Sequence, residues 1–131
     1  MESIRTNRDG ITLLVVDDDV AVLRIACKVL ERAGYAVLPA SGGRDALERA
    51  RTAGDSIDLV VTDVVMPGAS GPELVEAIRR RNPALPVLYM SAFTEDDAIV
   101  EGVRDDDVHF LPKPFTPREL VDAVASTLER G

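Results

Sequence analysis

The chain has 131 residues, which is enough to bury one sizeable core and predicts a single domain. Its 15 basic and 23 acidic residues give a formal net charge of −8, which argues against direct binding to nucleic acid because that binding needs a basic face. No apolar stretch approaches the roughly 20 residues that cross a bilayer, and residues 1–10 are too polar for a signal peptide. We therefore expect a cytoplasmic protein, or the cytoplasmic part of a larger one, without contact to a membrane.

Short apolar runs alternate with helical patterns along the chain. The runs predict strands at Thr12–Val16, Ala36–Pro39, Leu59–Thr62, Val87–Ser91 and Val108–Leu111. Each run is almost continuously apolar, which is typical of strands in a parallel sheet that is covered on both faces.

An apolar stripe at helical spacing follows each predicted strand. The stripes lie within residues 22–30, 46–50, 74–78, 98–103 and 120–128. Thr94 indicates the start of the fourth helix, and Thr116 with Pro117 at the first helical position indicates the start of the fifth. Five such βα units predict an α/β fold, doubly wound by right-handed crossovers, over residues 11–130, with residues 1–10 as a frayed tail.

Carboxylates gather where the first and third strands end. Asp17, Asp18 and Asp19 follow the first strand, and Asp63 follows the third. Adjacent carboxylates raise each other's pKa and resist joint ionisation, so a cluster of them favours a hard divalent cation that takes oxygen ligands. In a sheet of order 2-1-3-4-5 the first and third strands are neighbours at the topological switch point, so these acids should meet in one crevice. Asp19 is equally consistent with a simple helix cap.

The fourth and fifth strands bring a hydroxyl and an ammonium to the same edge of the sheet. Ser91 ends the fourth strand, and Lys113 follows the fifth. Lysine is rare in this chain, since 13 of the 15 basic residues are arginine, which suggests that Lys113 serves as a compact point charge. Acids, a hydroxyl and a lysine on adjacent strand ends suit a metal-assisted phosphoryl-transfer site.

Four motifs together resemble the receiver domain of two-component response regulators. They are Val15-Val16-Asp17-Asp18, Asp63-Val64-Val65-Met66-Pro67 with Gly71, Met90-Ser91-Ala92, and Lys113-Pro114-Phe115. The resemblance covers residues 11–130 and implies a flavodoxin-like, five-stranded parallel sheet of order 2-1-3-4-5 with five helices. The segments 89–93 and 110–115 look most like receivers of hybrid histidine kinases.

The resemblance also implies a role for each acid. Asp63 would accept a phosphoryl group from a phosphohistidine on a histidine kinase or a histidine phosphotransfer domain. Asp18, Asp63 and the backbone carbonyl of Val65 would bind Mg²⁺, with Asp17 as a further ligand or acting through a metal-bound water. Such a domain catalyses its own Mg²⁺-dependent phosphorylation and dephosphorylation and is not a turnover enzyme. Val65 and Phe93 have apolar side chains beside the expected path of the hydrolytic water, which predicts slow loss of the phosphoryl group.

A conformational switch is implied as well. Ser91 and Lys113 would contact the phosphoryl oxygens, and Ser91 would vacate space for the ring of Phe110. Family members often carry tyrosine at the position of Phe110, so a ring without a hydroxyl should favour the inward, apolar position. The Lys113–Pro114 bond should be cis. An output partner or a second copy would bind the face made by the fourth helix, fifth strand and fifth helix.

Three other interpretations remain open on the sequence. A phosphatase of the haloacid dehalogenase type would use Asp17 as nucleophile, but its motif expects threonine or valine where Ala21 stands, and Asp63 would have no role. A flavodoxin-like cofactor binder would need a hydroxyl- and glycine-rich loop where the acids after the first strand would repel a phosphate. A receiver could also serve as a phosphorylation-independent docking module.

Overall fold

The computed structural model describes residues 10–91 and 108–130, which include one five-stranded parallel sheet. Its strands are β1 (Thr12–Val16), β2 (Ala36–Ala40), β3 (Leu59–Asp63), β4 (Val87–Ser91) and β5 (Val108–Pro112). The order is β2-β1-β3-β4-β5, and every neighbouring pair is parallel. The predicted fold class and strand order are confirmed, and each strand end lies within one residue of its prediction.

The described residues contain four α-helices. These are α1 (Val20–Arg32), α2 (Gly43–Ala53), α3 (Gly71–Arg79) and α4 (Pro117–Arg130), and a short 3-10 helix, Gly54–Ser56, follows α2. Helix α4 is the predicted fifth helix. The predicted fourth helix with its start at Thr94, and residues 1–9 of the predicted tail, lie outside the described residues. No helix in the described part of the chain is both long and apolar enough to cross a membrane.

Apolar side chains fill both faces of the sheet, because successive strand residues point to opposite sides. Leu14 and Val60 pack on the side of α2 and α3, whereas Leu13 and Val61 pack on the side of α1 and α4. This arrangement explains the nearly continuous apolar runs in the sequence. Strand β2 forms an edge of the sheet, and Pro39 lies in it beside Val15 of β1.

Side-chain caps fix where three of the helices begin. Asp19 caps α1 by accepting hydrogen bonds from the backbone N–H groups of Ala21 and Val22. At α4, the Thr116 hydroxyl accepts from the N–H of Glu119 at 3.1 Å, while the Glu119 carboxylate accepts from the N–H of Thr116 at 2.8 Å. The same reciprocal pair, Ser70 with Glu73, begins α3. These caps set the direction in which each helix leaves the edge of the sheet that carries the acids.

Removing the cap of α4 should destabilise the protein without touching the acids. We expect Thr116→Ala to lower the free energy of unfolding by about 1 kcal/mol, because the N–H of Glu119 loses its acceptor. Urea denaturation of wild type and variant gives the difference. Thr52→Ala is the matched control, since this exposed hydroxyl only donates to a carbonyl of its own helix. An equal loss in both variants would contradict the capping role.

Candidate functional site

Three of the predicted acids meet at the C-terminal edge of the sheet. Carboxylate oxygens of Asp17, Asp18 and Asp63 all lie within 4.8 Å of one another, across the neighbouring ends of β1 and β3. Asp17 is fully buried, Asp18 is exposed, and the Asp63 side chain is 14% exposed. Asp19 does not belong to this cluster, because its carboxylate caps α1. The crevice expected at the switch point is therefore present.

Both carboxylate oxygens of Asp17 already have partners. Its Oδ1 accepts a hydrogen bond from the backbone N–H of Asp19 at 2.9 Å, and its Oδ2 lies 3.1 Å from the Nζ of Lys113. A fully buried carboxylate with both oxygens engaged is a poor nucleophile, because it can neither rotate nor approach a substrate. This geometry disfavours a phosphatase that attacks through Asp17.

The loop after β5 turns the Lys113 ammonium into the crevice. The Lys113–Pro114 bond is cis, as predicted, and the Lys113 N–H donates to the carbonyl of Ser91 at 2.8 Å. The Nζ atom lies 3.1 Å from Asp17 and 3.5 Å from Oδ2 of Asp63. Burial acts to lower the pKa of Lys113, but the hydrogen bond to Asp17 and the charges of both acids outweigh it and raise that pKa above its ordinary value. The ammonium therefore stays charged.

Asp63 is held at the end of β3 with one oxygen toward the backbone. Its Oδ1 accepts from the N–H of Val64 at 2.9 Å, and its Oδ2 faces Lys113. Burial raises the pKa of Asp63 to about 6; the charge of Lys113 opposes this rise and the charge of Asp17 adds to it. Three carboxylates against one ammonium leave the crevice with two negative charges when all are ionised.

The donor set fits Mg²⁺. This ion takes oxygen ligands at about 2.0–2.1 Å, so two ligand oxygens are at most about 4.2 Å apart. The oxygens of Asp17, Asp18 and Asp63 lie within 4.8 Å of one another, so a small inward movement at most is needed. The crevice has two unmatched negative charges, which a divalent cation would neutralise. The ion would therefore also relieve the repulsion among the acids.

Gly71 allows the backbone to pack against Asp63. A Cβ at position 71 would overlap the carbonyl oxygen of Asp63 and would come within 3.2 Å of the ring of Tyr89. The Gly71 N–H also donates to the carbonyl of Val64 at 2.7 Å, so a hydrogen bond joins the start of α3 to the segment that follows Asp63. Gly71 is part of one of the four sequence motifs, but the sequence does not reveal this reason for it, since close approach leaves no local signal beyond the glycine itself.

Ser91 and Val65 lie beside the acids. Ser91 ends β4, one residue beyond the Met90 that pairs with Asp63. Val65 is two residues past Asp63, and 51% of its surface is exposed. Phe93, which was predicted to flank the same approach, lies outside the described residues.

Phe110 does not occupy the expected inward position. Its ring is 47% exposed and stacks on the ring of Tyr89, with centroids 5.5 Å apart and planes 20° apart. Tyr89 is fully buried and pairs with Phe110 in the β4–β5 register, so the two rings lie side by side on the same face of the sheet. We expected the Phe110 ring, which lacks a hydroxyl, to lie in the inward position, and this expectation is wrong for this state. The ring instead makes its apolar contact by stacking on Tyr89.

The fold and the acidic crevice define a class of protein that the comparisons identify. A family model described as "Response regulator receiver domain" matches residues 13–125. The chain belongs to this family, whose members are phosphorylation-accepting domains of two-component systems.

Two of the curated relatives that the chain resembles are longer proteins, which it matches over only part of their length. The sensor kinase CckA of Brucella abortus (strain 2308) is 36% identical over 119 residues, 91% of this chain and 13% of the kinase. The alkaline phosphatase synthesis transcriptional regulatory protein PhoP of Bacillus subtilis (strain 168) is 36% identical over 119 residues, 91% of this chain and 49% of the regulator. The chain thus spans less than half the length of these two relatives.

Solved structures agree with the fold. A response regulator receiver domain protein from Clostridium thermocellum superposes with a TM-score of 0.82 at 28% identity, over 92% of this chain and 95% of the other. The receiver domain from the hybrid histidine kinase CckA gives a TM-score of 0.76 at 34% identity, over 89% and 98%. The predicted resemblance to receivers, including those of hybrid kinases, is confirmed.

Enlarging Gly71 should disturb the site through the backbone. We expect Gly71→Ala to lower the free energy of unfolding by about 1–3 kcal/mol, because the new Cβ displaces the Asp63 carbonyl. Urea denaturation measures the loss. Gly42→Ala is the control, since a Cβ there meets no atom within 4 Å. Comparable stability of the two variants would refute the close-packing role.

The raised pKa of Asp63 predicts how stability depends on pH in metal-free protein. Between the ordinary value of 3.8 and about 6 the folded state binds more protons than the unfolded state, so Asp63 reduces stability as pH rises through this window. Asp63→Asn should therefore be more stable than wild type at pH 7, by about 1–3 kcal/mol, and the gap should narrow toward pH 4. Urea denaturation with chelator at several pH values tests this, with the exposed Asp122→Asn on α4 as control. A gap independent of pH would show that Asp63 does not carry the effect.

Proposed function

We propose that this receiver domain, residues 11–130, accepts a phosphoryl group on Asp63 from a phosphohistidine of a histidine kinase or a histidine phosphotransfer domain. One observation carries the choice of nucleophile: Asp63 keeps a partly exposed carboxylate in the crevice, whereas Asp17 is fully buried with both oxygens engaged. Family membership supplies the class of reaction.

In the proposed transfer, an Oδ atom of Asp63 attacks phosphorus. The new P–O bond forms as the P–N bond to the imidazole breaks, and the imidazole leaves with the bonding electron pair and takes up a proton. The Asp63 backbone is held by close packing against Gly71 and by the hydrogen bond from Gly71 to Val64. These contacts would position the carboxylate for attack in line with the leaving group.

The surrounding residues would handle the charge. Lys113, 3.5 Å from Oδ2 of Asp63, would neutralise the phosphoryl oxygens, and the Ser91 hydroxyl would contact one of them. Asp18, Asp63 and the Val65 backbone carbonyl would hold Mg²⁺, with Asp17 directly or through water. The bound ion would supply electrostatic stabilisation of the negative charge that accumulates on the transferring group.

The signal would be read on the side of β5. On phosphorylation, Ser91 would move toward the phosphoryl group, and Lys113 would be shared between Asp17 and the new anion. These changes would alter the packing around Phe110 and shift its ring from the exposed stack to an inward position. The partner would be an output domain or a second copy of the chain, on the face made by β5, α4 and the helix predicted around residues 98–103. We place the reaction in the cytoplasm, where we expect the phosphohistidine donor.

The decisive experiment locates the phosphoryl group. With acetyl phosphate and Mg²⁺, wild type should gain the mass of one phosphoryl group, and borohydride reduction of the acyl phosphate should mark Asp63 in a peptide map. Asp63→Asn should abolish the gain, and chelator should do the same in wild type. Exposed Asp122→Asn is the control. A mark on Asp17, or no mark on folded protein, would overturn the proposal, and the second result would favour a docking module.

Metal binding tests the ligand set separately. We expect Asp18→Ala to weaken Mg²⁺ binding by roughly tenfold or more and to prevent phosphorylation while the fold survives, because the exposed Asp18 carboxylate supports no other described contact in the site. Calorimetric or spectroscopic titration with Mg²⁺ measures the affinity. An unchanged affinity would remove Asp18 from the ligand set.

A further inference from the structure

A cavity lies between α2 and α3 at the opposite edge of the sheet from the acids. Its volume is about 400 Å³, and it opens between the C-terminal ends of the two helices, where the chain enters β3 and β4. Sites for small molecules typically measure about 300–1,000 Å³ and combine an apolar floor with a few charged groups. Strand β3 separates the cavity from Asp63 by its five residues, roughly 17 Å. The cavity is therefore distinct from the phosphorylation site.

The floor of the cavity is apolar. It is formed by Leu47 and Ala50 of α2, Ile57 before β3, Ile78 of α3 and Leu85 before β4. These side chains are continuous with the core cluster on this side of the sheet. An apolar group entering the cavity would thus be removed from water on the side that faces the protein.

Three arginines stand on the rim. Arg51 lies in the last turn of α2, and Arg80 and Arg81 follow α3; all three are exposed, so their guanidinium groups are open to solvent. Among the described residues, no carboxylate forms an ion pair with any of them. One acid, Asp55, also lines the cavity, which leaves an excess of two positive charges in a chain whose net charge is −8.

The neighbouring arginines show what a purely structural role looks like here. Arg79 donates from Nε and Nη2 to the carbonyl of Leu85 at 2.9 and 2.7 Å, which ties the end of α3 to the segment before β4 and shapes one wall. Arg49 forms an ion pair with Asp45 on the outer face of α2. Arginines at helix ends also complement the helix dipole. That role does not require an apolar floor, nor does it require that three arginines line the same cavity.

We propose that this cavity binds a small amphipathic anion, with a flat aromatic or short acyl group on the apolar floor and a carboxylate or phosphate at the rim arginines. The guanidinium fork matches both anionic groups in bidentate geometry. The volume exceeds the roughly 150 Å³ that holds benzene in an engineered cavity, so a fused ring system fits. The site goes beyond phosphorylation, and it is independent of the acids.

The test uses 1-naphthoate as probe and its uncharged analogue 1-naphthamide, titrated into ¹⁵N-labelled protein. We expect saturable shifts of the backbone amides that line the cavity, with a Kd below about 1 mM for naphthoate and binding about tenfold weaker for naphthamide. Arg51→Gln and Arg81→Gln should each weaken naphthoate binding by up to about tenfold. Arg49→Gln, on the same helix with the same change in charge, should leave it unchanged.

A variant that keeps every charge tests the apolar floor. Ala77→Met adds a flexible side chain to a residue that lines the cavity and should block both probes. Thermal unfolding of each variant without probe establishes that it is folded. The absence of saturable shifts, shifts centred elsewhere, equal affinity for the two probes, or equal losses in Arg49→Gln and Arg51→Gln would each overturn the proposal.

Discussion

The ion pair between Asp17 and Lys113 is the interaction on which the rest of the crevice depends. It joins the ends of β1 and β5, which are three strand spacings apart in the sheet, or roughly 14 Å. Asp17 is fully buried, so loss of Lys113 would leave its charge buried without a partner. Such a loss destabilises a protein by far more than the intact ion pair stabilises it. The same ammonium lies 3.5 Å from Asp63, so any change of charge on Asp63 also changes how strongly Lys113, and with it the loop after β5, is attracted to the acids.

The crevice is stable only because the rest of the fold supports it. The raised pKa of Asp63 means that the ionised carboxylate is less favourable in the folded protein than in the unfolded chain. Apolar packing on both faces of the sheet compensates for this local disadvantage. The acids and the ammonium are already in place, so the proposed cation binding and phosphoryl transfer would need little reorganisation of the site.

The strands and the position of the crevice could be predicted from sequence, because both follow from general rules. Continuous apolar runs indicate buried parallel strands, and the switch point of the sheet brings Asp17 and Asp63 together whatever the details of the loops. The sequence placed Lys113 at the same edge of the sheet, but it did not predict the direct contact with Asp17, which is 96 residues away and depends on the path of one loop.

Other features depend on packing that no local pattern records. The inward position expected for Phe110 was wrong, because its ring stacks on Tyr89, its neighbour across the β4–β5 register. The role of Gly71 depends on how closely α3 approaches the Asp63 carbonyl, a distance set by tertiary structure. In contrast, the cap made by Ser70 and Glu73 had a visible signal, since serine followed three residues later by glutamate is a known helix start.

Pro39 in the edge strand β2 affects how the protein can meet its neighbours. An exposed strand edge offers unpaired N–H and C=O groups to which another extended chain can add, and this is a common route to aggregation. Proline has no N–H to offer, so the ladder of hydrogen bonds that strand addition requires is interrupted at the fourth residue of this five-residue strand. Association through the β2 edge is therefore discouraged, and a neighbouring protein that meets this side of the domain has to bind through side chains instead of extending the sheet.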